Sequence, residues 1–339
     1  MLKGGFALFS SFYKKDRIHS FDPPAAEHST FDIRYLLFLW VIGGLLVGCA
    51  GFKKSELALL PENIPPGFEL EKVPFYPQSE YQCGPSTLAM ALTYSDLPVT
   101  PEALKSQVYT PSRKGSLQMA MIGATRRHGR IAYPILGLNS IWSEIAAGHP
   151  VVVLQNLGLS WIPVWHYAVV IGYDFRENTV ILRSGTTARK VMSFFTFEKT
   201  WARSDYWGLI VLKPTQLPAI AREKDYLAAV FGLEKSRQFD AAIKGYQKAL
   251  TRWPQSLIGF MGLGNSLYAL GDLQGAEAAF RMAVKNHPEA AGAYNNLAQV
   301  LLEQGHKLEA LEAAQRAVAI GGPMSEIYKS TLKEIQSKK

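Results

Sequence analysis

Tyr81-Gln82-Cys83-Gly84-Pro85-Ser86-Thr87-Leu88 decides the fold of the first half of this chain. Upstream, Val73-Pro74-Phe75-Tyr76-Pro77 reads as an extended segment, and Gln78-Ser79-Glu80 leads from it toward the cysteine. Downstream, residues 86–94 carry apolar side chains at helical spacing. Proline is favoured in the first turn of a helix, where its missing N–H costs nothing. Cys83 therefore falls at a helix N-terminus. Unsatisfied N–H groups and the helix dipole favour an anion there, and such positions lower a thiol pKa below its free value of ~8.5. Free cysteine is also among the most buried residue types, so a packed, inert thiol is the competing reading.

A second helix is predicted after Pro101 (Pro-Glu-Ala-Leu-Lys), a third over 116–128 and a fourth over 140–148. Strand-type apolar runs follow at 151–155, 166–172, 179–183 and 208–212. Helices first and an antiparallel sheet after is an α+β pattern, and it occupies 69–215. His166 heads the second apolar run, His166-Tyr-Ala-Val-Val-Ile-Gly-Tyr173. A thiol at a helix start and a histidine heading a strand are the ingredients of a thiol hydrolase. The imidazole takes the thiol proton, and the sulfur attacks a carbonyl carbon.

Gln-x-x-x-x-Cys-Gly-Pro, then a helix, then His-Tyr-Ala-Val-Val-Ile-Gly-Tyr resembles the C39-like peptidases, members of the papain-like cysteine peptidases, over about 145 residues. The resemblance implies a papain-like α+β fold, Cys83 as nucleophile and His166 as base. It also implies a glutamine amide that joins the Cys83 backbone N–H in an oxyanion hole. The best-known members cut leader peptides after Gly-Gly, so the implied substrate is a peptide or protein. Two features depart from the pattern. The family glutamine usually sits about six residues before the cysteine; here Gln78 lies five before and Gln82 one before, and Gln78 is favoured. The family also usually has Asp or Asn about 16 to 18 residues after the histidine, on the next strand. Here that stretch reads Leu182-Arg183-Ser184-Gly185. Ser184 is the candidate to orient the ring, Asp174 is the alternative, and a Cys/His dyad with no third member is the remaining arrangement. An ion pair with histidine pulls a thiol pKa to ~3–4, so a dyad suffices for chemistry.

From about residue 223 the pattern turns to helix period with a repeat of 34 residues: Ala242, Ala276 and Ala310, then Ala249, Ala283 and Ala317, then Tyr226, Phe260 and Tyr294. Pro254 and Pro288 keep the spacing, and Tyr246 and Phe280 share a slot where the third unit has Ala314. This resembles the tetratricopeptide repeat. Three units (223–256, 257–290, 291–324) and a final helix near 325–337 imply an all-α solenoid reaching residue 339. The resemblance implies a shallow groove for a protein partner, and Asn265, Asn295 and Asn296 are candidates to face it.

Residues 35–48 form an apolar run after Arg34 that ends in Leu46-Val47-Gly48-Cys49. Fourteen residues are too few to span a bilayer, which needs ~20. They fit a signal segment with a cleavage site. Leu46-Val47-Gly48-Cys49 resembles the lipobox of bacterial lipoproteins, which implies lipid on Cys49, a tether over 50–68 and a membrane anchor. No Asp follows Cys49, so the resemblance implies the outer membrane facing the periplasm, with an inner-membrane anchor as the alternative. About 34 residues precede the run, so a later start codon or an uncleaved signal anchor stays open.

The net charge of +8 is spread thinly over 339 residues, without a basic stripe, so nucleic acid is not expected as a partner. Two cysteines permit at most one disulfide, and lipid on Cys49 leaves Cys83 a free thiol. The seven histidines are scattered without metal-ligand spacing, so neither a metal nor another cofactor is expected.

Overall fold

The computed structural model describes residues 64–78 and 81–338, so Cys49, its apolar run and most of the tether lie outside the described residues. Helix α1 (Cys83–Tyr94) buries every residue from Gly84 to Leu92. A helix apolar on all sides belongs inside a domain, and α1 packs against three strands of the central sheet. Helix α2 (Pro101–Val108) starts where Thr100 Oγ1 accepts from Ala103 N at 3.3 Å. A two-stranded ribbon, β2 (Tyr109–Thr110) with β3 (Gly115–Ser116), then delays α3 (Gln118–Arg127), so Ser116 is strand and not helix. Helix α4 (Leu138–Ala146) matches the fourth apolar period.

The sheet is antiparallel, with β4 (Ile131–Leu136), β9 (Trp207–Leu212), β5 (Val151–Asn156), β6 (Trp165–Asp174), β7 (Thr179–Ser184) and β8 (Thr187–Ser193) side by side in that order. Strand β1 (Gly67–Glu69) pairs with the end of β6, Gly67 opposite Asp174, so the first sheet residues fall within the stretch whose composition reads as tether. All six residues of β5 are buried because helices cover both faces. Successive side chains alternate between those faces. Gln155 donates to Thr200 Oγ1 on α5 (Phe194–Ala202) at 2.7 Å. Tyr167, opposite Leu154, points the other way and donates its hydroxyl to Ser116 O at 3.1 Å beside α1.

Three helix pairs follow: α6 (Glu223–Lys235) with α7 (Phe239–Arg252), α8 (Leu257–Ala269) with α9 (Leu273–Asn286), and α10 (Ala291–Glu303) with α11 (Lys307–Ile320). Helix α12 (Ser325–Ser337) closes the stack against α10 and α11. The six periodic alanines are fully buried where the helices meet, and Tyr246 and Phe280 are buried with them. Asn295 and Asn296 are buried as well, and Asn296 Nδ2 donates to Asn265 Oδ1 at 3.1 Å. Those two are therefore packing residues and not the groove-facing ones their position suggests.

One apolar core runs from the sheet into the first repeat, taking in Tyr226, Leu233 and Tyr246. A second core, containing Phe280, Leu297 and Ile335, serves the later repeats. The connection between sheet and repeats is fixed, since Glu144 accepts from Ile220 N at 2.9 Å and meets His149 Nδ1 at 2.7 Å.

Candidate active site

Cys83 is the first residue of α1, and Gln82 caps the helix without a side-chain hydrogen bond. The Cys-Gly-Pro order has a steric reason. A Cβ at Gly84 would stand 2.1 Å from Ser116 Oγ, so only glycine lets β3 approach the helix start. Thr87 Oγ1 locks the first turn by donating to Cys83 O at 2.8 Å and Gly84 O at 3.0 Å.

The backbone N–H groups of Tyr167, Gly84 and Cys83 itself lie near the sulfur and favour a thiolate. Burial outweighs them and pushes the thiol above its ordinary 9.0. This corrects the expectation of a depressed thiol pKa: the helix N-terminus does aim its donors at the sulfur, but desolvation is the larger effect. Cys83 is a free cysteine, half-buried.

Tyr167 is the chain neighbour of His166, so the thiol abuts the start of β6. His166 Nε2 lies 2.9 Å from Ser184 Oγ on the adjacent strand. Burial, reinforced by the Lys190 cation, lowers the imidazole to about 4, so the ring is neutral at pH 7. No hydrogen bond or ion pair links Cys83 to His166 among the described residues, and the resting pair is a neutral thiol beside a neutral ring.

Of the two candidates for orienting that ring, Ser184 touches it. Asp174 stands at the other end of β6, where its Oδ1 accepts from Arg176 N at 2.8 Å and Glu177 N at 3.2 Å in the turn. Gln78 is 9% exposed and clamps the two strand ends. Its Nε2 donates to Tyr167 O at 3.3 Å and its Oε1 accepts from Gly185 N at 3.2 Å. Its own N–H reaches Gly185 O at 3.0 Å. One amide N–H of Gln78 is thus committed to structure.

Sequence reasoning missed Arg183. Its guanidinium donates to Val73 O at 3.0 Å, Glu71 O at 3.0 Å and Ala188 O, tying the extended segment to the strand that carries Ser184. An arginine inside an apolar strand run was the available signal. Among the described residues no group of three or more His, Cys, Asp or Glu side chains is arranged to hold a metal ion.

Residues 70–208 match the Peptidase C39-like family. Residues 232–288 and 261–324 match the tetratricopeptide repeat. The chain thus carries a C39-like peptidase domain followed by tetratricopeptide repeats. No curated protein matches it. Among solved structures it is similar to a Bacillus anthracis protein classed as a C39-like peptidase, at 19% identity and TM-score 0.38, covering 43% of this chain and 98% of that one. It is also similar to the TPR2B domain of yeast Sti1 solved as a pHsp70 complex, at 16% identity and TM-score 0.33, covering 34% of this chain and 98% of that one. A third is the Yersinia enterocolitica type III secretion chaperone SycD, at 20% identity and TM-score 0.32, covering 33% and 82%.

Proposed function

We propose that this protein is a lipid-anchored cysteine hydrolase that cleaves a peptide bond, with its repeats holding the substrate protein or a partner. The observation that carries the reading is the convergence at one sheet end: Cys83 against the Tyr167 N–H, His166 on Ser184 at 2.9 Å, and Gln78 bridging both strands. In this mechanism the Nε2–H is donated to Ser184 Oγ, 2.9 Å away, which leaves Nδ1 as the proton acceptor. As the sulfur attacks the carbonyl carbon, Nδ1 takes the thiol proton. The oxyanion is met by the Cys83 backbone N–H and a glutamine amide. His166 then returns the proton to the departing amine, leaving an acyl-enzyme for water to hydrolyse.

Cys49 is the proposed lipid site, anchoring the chain in the outer membrane with the catalytic domain in the periplasm; an inner-membrane anchor is the alternative. Replacing Cys49 by Ser should release the protein from membranes.

A second reading is a peptidase-like binding module that has lost catalysis. The absence of a Cys83–His166 hydrogen bond and the raised thiol favour it. A peptidyl chloromethyl ketone separates the two. Labelling that is lost in both Cys83→Ala and His166→Ala supports the enzyme, and an unlabelled wild-type protein rejects it.

A further inference from the structure

The stretch from the end of β5 to the first residue of β6 reads Leu157-Gly-Leu-Ser-Trp-Ile-Pro-Val-Trp165, nine residues without a charge. Leu157, Leu159, Trp161, Ile162, Val164 and Trp165 are each 42 to 74% exposed. Single exposed apolar side chains need no explanation, but a contiguous set marks a binding surface.

This set is held rigidly. Asn156, 2% exposed, accepts from Gly158 N and Val164 N on one amide oxygen, both at 2.9 Å, and donates to Leu159 O at 3.3 Å. Leu157 N donates to Val164 O at 2.8 Å, and Leu159 and Ile162 exchange N–H···O bonds at 3.2 Å. Arg203 ties the base by donating to Asn156 O at 3.0 Å and Gly158 O at 2.6 Å. A Cβ at Gly158 would stand 2.3 Å from Ile162 O, so the two arms close only over glycine. The polar groups are satisfied inward and the apolar ones are presented outward.

The hairpin ends at Trp165, and the next residue is His166. Leu117 and Met119 are 50% and 63% exposed and closely follow the Ser116 that abuts Gly84. Exposed apolar side chains thus adjoin His166 along the chain and the ribbon strand that abuts Gly84, the residue after Cys83. The described chain enters the sheet at the opposite pole. Gly67 pairs with Asp174, and the ten residues of β6 put that point ~30 Å from the hairpin. A surface ~30 Å from the point where the described chain enters the sheet, and joined directly in sequence to His166, suits a substrate better than a bilayer.

We propose that the Leu157–Trp165 hairpin is the wall that selects substrates, and that it takes an apolar stretch of peptide beside the bond to be cut. This deepens the hydrolase reading and rests on it. The full chain is treated with iodoacetamide, with a Leu-Leu-Phe chloromethyl ketone and with a Gly-Asp-Ser chloromethyl ketone, and Cys83 modification is timed by mass spectrometry. The apolar ketone should react at least ~10-fold faster than the polar one. Trp161→Ser with Ile162→Ser should abolish that ratio and leave the iodoacetamide rate unchanged. The single Trp161→Ser variant repeats the measurement if the double variant unfolds. Equal rates for the two ketones in the wild type, or a ratio that survives the substitutions, overturn this inference and leave the hydrolase intact. If iodoacetamide reacts and neither ketone does, the hydrolase reading falls, and this one with it. If the substitutions leave the ratio unchanged but abolish a dimer in sedimentation, or binding to phosphatidylglycerol vesicles, the hairpin serves self-association or a membrane and the inference is overturned.

Discussion

At the scale of single residues, Cys83 and His166 are both held in their neutral forms by burial. An ion pair would give a thiolate at low pH, whereas a neutral pair gives one only near the thiol's own pKa. Alkylation of Cys83 by iodoacetamide should therefore be slow at pH 7 and still climb beyond pH 9.0. A rate plateau below pH 6 would demonstrate the ion pair instead. Ser184→Asp places a carboxylate beside Nε2, which raises the imidazole pKa and should create that low-pH plateau. His166 also links stability to acidity. The unfolded imidazole titrates at 6.5 and the folded one at about 4, so between these values the unfolded chain binds the proton and the folded one does not. Stability should fall as pH drops through that window and lose nothing more from this group below it. In His166→Gln the melting temperature should depend less on pH between 6.5 and 4, as differential scanning calorimetry would record.

Elements place these residues, and the Gly84–Ser116 contact is where two of them meet. Gly84→Ala forces the β2–β3 ribbon away from α1, because the new Cβ would overlap both Ser116 Oγ and its Cβ. A cost of about 1–3 kcal/mol is expected, typical of overpacking. Combining it with Ser116→Gly should cost less than the sum of the two single changes, a coupling that denaturant titration would read. Legibility followed the same physics. Helix α1 and strands β5, β6, β7 and β9 were readable because buried runs are continuous in sequence. Strand β8 was not, since Thr187–Ser193 is largely exposed and carries Arg189 and Lys190. Strand β1 was hidden because three residues give no period. Helix α5 was missed although Ser193 caps it, because Phe194-Phe195-Thr196-Phe197 has no distinctive helical spacing. At the site, the motif located Cys83 and His166, and the serine at 184 fell where a ring partner was sought. The clamp made by Gln78 was illegible, because both of its amide contacts are to backbone, and backbone positions leave no trace in residue type.

For the whole molecule, the decisive fact is that composition divides the chain near residue 220 and packing does not. Tyr226 donates to Gln216 O at 2.9 Å and is fully buried in the core that also holds the sheet. A chain stopped at residue 215 would uncover the face of β4 on which α6 lies. A chain stopped at residue 256 keeps the first repeat and cuts near the boundary of the two cores. The shorter product should aggregate or melt without cooperativity, and the longer one should melt in a single transition, as circular dichroism would distinguish. The same shared repeat carries a buried acid. Glu234 is 5% exposed, and its Oε2 accepts from the Tyr246 hydroxyl at 3.0 Å. Burial raises its pKa from 4.5 to about 7. The folded state therefore holds a proton that the unfolded state releases, so this group costs stability as pH rises from 4.5 to about 7 and adds no further cost above that. Glu234→Gln keeps an oxygen for Tyr246 without the charge. At pH 8 it should stabilise the chain by up to about 3 kcal/mol, and at pH 4 by almost nothing. Because the repeat and the sheet share one core, that gain should appear in the melting of the C39-like domain. If only a separate repeat transition moves, the two are independent and the shared core does not couple them.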